Sequence, residues 1–404
     1  MKRIITFLMS IACIYNIVQP FRLLFDGGQA LTMLIPALVI LFYDKVYRKR
    51  AFWLFCIYTL IVYLLYIYDV KYFETWVSDA ACMLFTICGF EHYVRSNDDK
   101  YAKTLLYTVY GSLLIMAIIS IPQFYLFPGN VRDLIRAEHG VAGVELDKRF
   151  YWALSYPTLN ELHMYLIPLG VLIKSNIKKY LRLLLIVIFA IFFVALLLGD
   201  VTTALILSII IIPFFAIYKP NASKQRNIQR IVLTGIISII LLNPLTISTV
   251  LHTIQPIFEG TTNYSKVEEI TDYLHGDDSG EDVTARSSLV NRSIDSFIFS
   301  PITGEHDDNK IGHHNLLIDR LAVMGIVLFL PFMFLLFERY KRIIKLLRGG
   351  KYYYTITYLA FILMALLKNF LLIRTAWLVV PISLLLFNRT GLLNYKNNDT
   401  KSIF

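Results

Sequence analysis

Residues 312–337 read GHHNLLIDRLAVMGIVLFLPFMFLLF. Two histidines and an asparagine stand at the head of the apolar run Leu316–Phe337, whose ionisable members are Asp319 and Arg320. About twenty predominantly apolar residues suffice for a helix to cross the hydrocarbon core of a bilayer. By that criterion such runs recur along the chain, at approximately Ile4–Val18, Ala30–Tyr43, Ala51–Tyr68, Tyr72–Phe90, Thr104–Phe127, Thr158–Ile173, Leu181–Leu198, Thr202–Tyr218, Ile231–Val250, Asn315–Phe337, Tyr353–Ile373 and Ala376–Phe387. Composition agrees: 57% hydrophobic residues, 17% charged residues and a mean hydropathy of +0.59 lie beyond the balance of a soluble domain. The expected fold is all-α, one polytopic membrane domain over residues 1–404 with about twelve transmembrane helices. Met1–Arg3 before the first apolar run resembles a signal peptide, but no small-residue cleavage site follows, which predicts an uncleaved first helix.

The formal charge of +10 is carried largely by short loops between these runs. Lys45/Arg48/Lys49/Arg50, Lys174/Lys178/Lys179/Arg182, Lys219/Lys224/Arg226/Arg230 and Arg339/Lys341/Arg342/Lys345/Arg348/Lys351 form four basic clusters. Twelve spans place all four on one side together with Lys2 and Arg3, and the positive-inside rule makes that side cytoplasmic, with both termini. This charge therefore reads as topology and not as a nucleic-acid surface. The opposite side receives a smaller loop at 128–157 and a larger one at 251–314, between the ninth and tenth spans. Cys13, Cys56, Cys82 and Cys88 lie inside apolar runs without a CxxC spacing, so no disulfide framework or zinc site is expected.

Both external segments carry groups suited to a glycan or a lipid-linked phosphate. Gly129–Tyr156 has Arg132, Arg136 and Arg149 among acids and aromatics. His252–Gly312 has an acidic first half and a helix-like second half, Val283–Phe299, with Thr284 as its expected N-cap and Pro301 and Gly304 ending it. A neutral imidazole accepts a proton from a hydroxyl near neutral pH, which makes His313 and His314 candidates for a general base, although they equally suit an interfacial helix start. Arginine neutralises a diphosphate through paired hydrogen bonds, and Arg286, Arg292, Arg132 and Arg136 are the candidates. Ionisable groups inside spans usually face the protein interior. Asp319 and Arg320 are of this kind, as are Glu161, His163, Lys368 and Arg374. Asp200 suits a plain helix cap. Nucleotide-binding, zinc-protease and serine-hydrolase motifs are absent, and no cofactor is expected.

With these residues in view, the chain resembles the O-antigen polymerase and ligase superfamily of bacterial surface-polysaccharide assembly. The resemblance rests on the topology over the whole length and on His314-Asn315 followed by Gly325, in HNLLIDRLAVMG. Upstream, Ala285-Arg286 and Ser300-Pro301-Ile302-Thr303-Gly304 are similar to the arginine-led helix and Pro-x-x-Gly turn that precede that histidine. Leu328 stands where a small residue or tyrosine is usual, and Asp200-Val201-Thr202-Thr203 replaces an arginine pair, so a further phosphate-binding arginine must come from Arg132, Arg136 or Arg149. The resemblance implies a GT-C-like fold in the bacterial inner membrane and a metal-independent, inverting transfer. A hydroxyl of one undecaprenyl-diphosphate-linked repeat unit attacks the anomeric carbon of a growing chain, and undecaprenyl diphosphate leaves. His314 would deprotonate or orient that hydroxyl and Arg286 would hold the diphosphate, with His313, Asn315, Asp319, Arg320, Arg132, Arg136 and Arg292 around the substrates. The bilayer, a flippase and a chain-length regulator are the implied partners. A ligase using lipid A core as acceptor performs the same chemistry. A flippase or other transporter would place charges in the middle of its spans, and a nonenzymatic scaffold would tolerate loss of His314 and Arg286.

Overall fold

The computed structural model describes residues 1–18, 21, 28–66, 70–96, 98–126, 152–175, 177–199, 201–217, 281–347, 350–367 and 375–393, with short pieces between 227 and 271. Among these residues the chain is all-helical, apart from a single backbone bridge between Val18 and Leu154. The helices are α1 (Lys2–Ile17), α2 (Gly28–Tyr43), α3 (Arg50–Tyr66), α4 (Val70–Ser96), α5 (Asp99–Leu126) and α6 (Tyr156–Lys174). They continue with α7 (Lys179–Leu198), α8 (Thr202–Ile217), α9 (Glu281–Phe299), α10 (Leu316–Leu346), α11 (Lys351–Leu367) and α12 (Ala376–Arg389). Three of them, α5, α7 and α10, are long and apolar enough to cross a membrane. Each apolar segment read from the sequence overlaps a helix, except Ile231–Val250, of which only Val232, Leu233 and Thr249 are among the described residues.

Two boundaries differ from expectation. Helix α9 begins at Glu281, so Thr284 lies within it and does not cap it. Helix α10 runs past Phe337 to Leu346, and Arg339, expected in a basic loop, is only 9% exposed. Its guanidinium donates to Thr86 Oγ1 of α4 (3.1 Å) and to the Trp377 carbonyl of α12 (2.9 Å), and stands over the Trp377 ring at 5.5 Å. Lys and Arg are good helix formers, and this burial gives the extra turns a tertiary anchor.

Packing sorts the helices by how much of their circumference is apolar. Helix α12 is buried without interruption from Ala376 to Phe387 and packs on α4, α5, α6 and α11. Helix α6 is buried from Thr158 to Val171. A helix apolar on all sides belongs at the centre of a bundle or against lipid. Helix α7 is apolar without being central: Leu183, Leu184, Ile186 and Val187 are exposed, an apolar surface larger than water tolerates well.

Polar contacts gather at the two ends of the bundle. At one end Lys2 donates to the Ser96 carbonyl (3.1 Å), His92 meets Asp44 (2.6 Å), and Arg342 holds Glu91 with both arms (3.0 and 3.2 Å). Lys49 adds to Glu91 at 3.6 Å, and Arg389 bonds the Val94 carbonyl at 3.0 Å. The starts of α1 and α3 and the ends of α2, α4 and α12 therefore share one face. The opposite end collects the ends of α1 and α11 and the starts of α6, α10 and α12.

Candidate functional site

The site is built on an interruption in α10. Gly325 has φ 59° and ψ 176°, so the helix breaks there. In an unbroken helix the Ile326 N–H would donate to the Ala322 carbonyl. Instead it donates to Pro301 (2.8 Å), while the Ala322 carbonyl accepts from the Glu305 N–H (2.8 Å). The Val327 N–H completes the exchange at the Ile302 carbonyl (3.4 Å). The Pro301–Gly304 turn has thus inserted itself as a rung of the helical ladder, which re-pairs the Ala322 carbonyl and the Ile326 and Val327 N–H groups.

Glycine is required on both sides of this contact. Gly304 has φ +83°, and a Cβ on it would overlap the Val323 carbonyl and stand 2.6 Å from the Gly325 nitrogen. A Cβ on Gly325 would overlap the Ile302 carbonyl and stand 2.5 Å from the Gly304 nitrogen. The Pro-x-x-Gly turn and the glycine downstream of the histidine, read as separate motifs in the sequence, are two halves of one joint.

This joint sets α9 against α10, and the two helices grip the segment between them. Gly312 lies against the backbone of α9, where a Cβ would overlap the Leu289 carbonyl. Its N–H donates to Ser293 Oγ (2.8 Å), and the Ser293 hydroxyl donates to Asp319 Oδ1 (2.7 Å). Asp319 Oδ2 accepts from the Asn315 N–H (2.8 Å), an orphan donor at the helix start. Asn315 is the N-cap of α10, 5% exposed; with its amide turned so that the nitrogen faces the acceptors around it, that nitrogen reaches the carbonyls of His314 (3.1 Å), Leu366 (3.2 Å) and Leu367 (3.3 Å). The last two are carbonyls at the end of α11, a position where helices need donors.

His313 and His314 therefore form a two-residue arch fixed at Gly312 and at Asn315. His313 has φ +55°, a left-handed conformation that costs a side-chain-bearing residue about 1–2 kcal/mol. Both imidazoles are half-buried and within electrostatic reach of the Asp319 carboxylate. Two rings on a strained, clamped arch suit proton transfer to a ligand that approaches from outside the bundle.

The arginines divide by helix register. Arg286, Leu289, Ser293 and Ser296 follow one another at spacings of three, four and three, which places them on one face of α9. Leu289 and Ser293 meet Gly312, and Ser296 donates to the Lys310 carbonyl (2.7 Å). By position Arg286 lies one turn beyond Leu289 on the face of the arch; its side chain is outside the described residues. Arg292 lies off this face, exposed, with its guanidinium 3.5 Å from the Asn309 carbonyl. Nearby, the Glu305 carboxyl is held below the usual carboxylate range by the Asp307 N–H (3.1 Å) and then by the Lys310 ammonium (3.1 Å).

Other residues singled out in the sequence have internal partners. Both oxygens of Asp319 are engaged, by the Asn315 N–H and by Ser293 of α9, so it holds the two ends of the histidine arch. Arg320 donates to Asp79 of α4 (3.3 Å), an acid whose place in an apolar run has this explanation. Glu161 accepts from the Ala376 N–H and the Thr375 hydroxyl, both at 3.1 Å, and so caps the start of α12. His163 Nδ1 is 2.6 Å from the Asn160 carbonyl. Arg132, Arg136, Arg149, Asp200, Lys368 and Arg374 lie outside the described residues. Ser293 escaped the sequence reading, and its only signal is the heptad spacing from Arg286. No family model matches the chain, and no curated protein matches it.

Proposed function

We propose that the chain is a membrane glycosyltransferase of the O-antigen polymerase type, with twelve spans, both termini cytoplasmic and the 251–314 loop outside. One observation supports it above others: the segments that carry the family resemblance pack against one another at the α9–α10 contact that holds the histidine arch. His314-Asn315, the Arg286 helix, the Pro301–Gly304 turn and Gly325 are scattered in sequence, yet they belong to a single joint.

In this reading His314 takes the proton from an acceptor hydroxyl on a lipid-linked repeat unit. The freed oxygen forms a bond to the anomeric carbon of the growing chain, and the bond from that carbon to the diphosphate breaks. The electron pair leaves with undecaprenyl diphosphate, whose charge Arg286 neutralises. Arg132 and Arg136 belong to the other external loop and complete the anion site. Asp319, Ser293 and Asn315 hold the arch, so the imidazole is positioned before the substrate arrives. A flippase and a chain-length regulator are the protein partners of such an enzyme.

The test is the surface-polysaccharide ladder of a strain whose own copy is replaced by His314→Ala. A positioned general base contributes about 10²–10⁴-fold in rate, so long chains should disappear at unchanged protein level in the membrane. Single repeat units attached without long chains mark a polymerase, whereas loss of all attached units marks a ligase. Normal ladders at normal protein level would remove His314 from the chemistry.

A further inference from the structure

A second site lies away from the histidine arch, at the basic end of the bundle. A groove of about 410 Å³ runs between α5, α6, α7 and α12, walled by residues such as Leu106, Leu114, Leu172, Leu184 and Phe387. Its described lining is almost wholly apolar. The hydroxyls of Ser383 and Thr390 on its wall are turned back onto the carbonyls of Val379 (2.8 Å) and Leu386 (2.9 Å) of their own helix. Lys103 stands in its lining at the basic end, and Lys178, Lys179 and Arg182 flank the lining residues Ile177 and Leu181.

Three observations point to the occupant. Along α5 the groove extends from Lys103 to Leu114, and at 1.5 Å per residue this is about 16 Å. Half of a hydrocarbon core of about 30 Å is nearly the same depth. The charges stand at one end of that length, where a headgroup would lie. Gly111 supplies the third observation. A glycine inside a helix costs about 0.5–1 kcal/mol relative to alanine and is usually explained by a close neighbour. At Gly111 a Cβ would meet nothing within 4 Å. It lines the groove without packing against anything, which leaves the space beside it open.

We propose that this groove binds an anionic phospholipid of the leaflet on the basic side, one acyl chain lying beside Gly111 and the phosphate at Lys103 and the Lys178–Arg182 junction. The inference rests on the chain being embedded in a membrane and not on its glycosyl-transfer chemistry. A bound lipid here would tie α7, the least buried of the three helices long and apolar enough to cross a membrane, to the central helix α12.

The experiment is native mass spectrometry of the full chain extracted in mild detergent, titrated with phosphatidylglycerol or phosphatidylcholine. One phosphatidylglycerol should be retained by the wild type. Gly111→Leu, which projects into open space and favours the helix, should weaken that binding at least tenfold while the protein remains monodisperse. Lys103→Gln should keep lipid binding but reduce the preference for phosphatidylglycerol by about fivefold, the equivalent of one lysine near an anionic headgroup. Should Gly111→Leu not fold, a phosphatidylglycerol carrying a mid-chain diazirine must label wild-type peptides around Gly111 and Phe387. Unchanged binding by Gly111→Leu, labelling spread evenly over the bundle, or displacement of phosphatidylglycerol by polyprenyl phosphate at equal concentration would each overturn the assignment. A wild type that an alkaline wash removes from membranes would instead overturn the membrane reading on which it rests.

Discussion

The two ends of the bundle are held together by different chemistry. At the basic end long charged side chains make the contacts, as in His92 with Asp44, Glu91 with Arg342 and Lys49, and Arg389 with the main chain at the end of α4. At the other end main-chain groups take part in the contacts that join the helices. The Pro301–Gly304 turn forms a rung of α10, Gly312 lies on the α9 main chain, and Asn315 and Glu161 bond main-chain groups at the termini of α11 and α12. Long charged side chains reach their partners from many backbone positions and tolerate small shifts. Main-chain contacts tolerate almost none, because a methyl group in the interface forces the helices apart. The tolerant end carries most of the basic charge, and the intolerant end carries the histidines.

This contrast is open to direct attack. Gly325→Ala should do most harm, since it needs φ > 0 and drives its Cβ into the Ile302 carbonyl. A loss on the order of 2–4 kcal/mol is expected, read as a lowered unfolding midpoint in detergent, and Gly304→Ala should match it. An alanine at Gly325 with unchanged stability would show that the joint is not tight.

Asp319→Asn comes next. The amide can still accept from Ser293, but it turns a donor toward the Asn315 N–H or leaves that group unpaired. The expected loss is about 1–3 kcal/mol, with hydrogen exchange at residues 312–315 speeding up more than exchange within α10. Equal exchange along the helix would mean that the carboxylate does not hold the arch. At the basic end Glu91→Gln should change stability by no more than about 1 kcal/mol, because Arg342 and Lys49 are partly exposed and salt screens the pair. A larger loss there would erase the distinction between the two ends.

The smallest effect concerns acid. Glu305 is bound most tightly when ionised, so its native pKa is lowered and its contribution is full above the ordinary carboxylate range. That contribution disappears as the pH falls through the lowered value. Proton exchange at the Asp307 amide should therefore speed up only below about pH 4, the unperturbed range for glutamate. Loss of protection at neutral pH would place the carboxylate elsewhere.

The apolar runs were legible as helices because lipid-facing and core-facing residues are apolar by the same rule, and a bilayer-length run has few other readings. The basic clusters at 45–50, 174–182 and 339–351 were legible as one end of the bundle for a similar reason, since charge asymmetry is a property of composition along the chain. The cluster of Lys219, Lys224, Arg226 and Arg230 lies outside the described residues. Helix ends were less legible. Helix α10 passes through Arg339 to Leu346 because that guanidinium finds Thr86 of α4 and Trp377 of α12, and neither partner can be inferred from local sequence. Thr284 had the right chemistry for a cap, yet the helix starts at Glu281.

For the histidine site, the sequence by itself determined which residue types stand near the start of α10 and that two glycines and a proline punctuate the approach. Only the tertiary structure decided that Gly304 and Gly325 face each other, that Asp319 turns inward to Ser293 and Asn315, and that Arg320 belongs to Asp79. The physical reason is the range of the forces involved. Apolar periodicity and turn chemistry act within a few residues and are written locally, whereas hydrogen bonds across 26 residues from Ser293 to Asp319, or across 241 from Asp79 to Arg320, exist only once packing has brought the helices together.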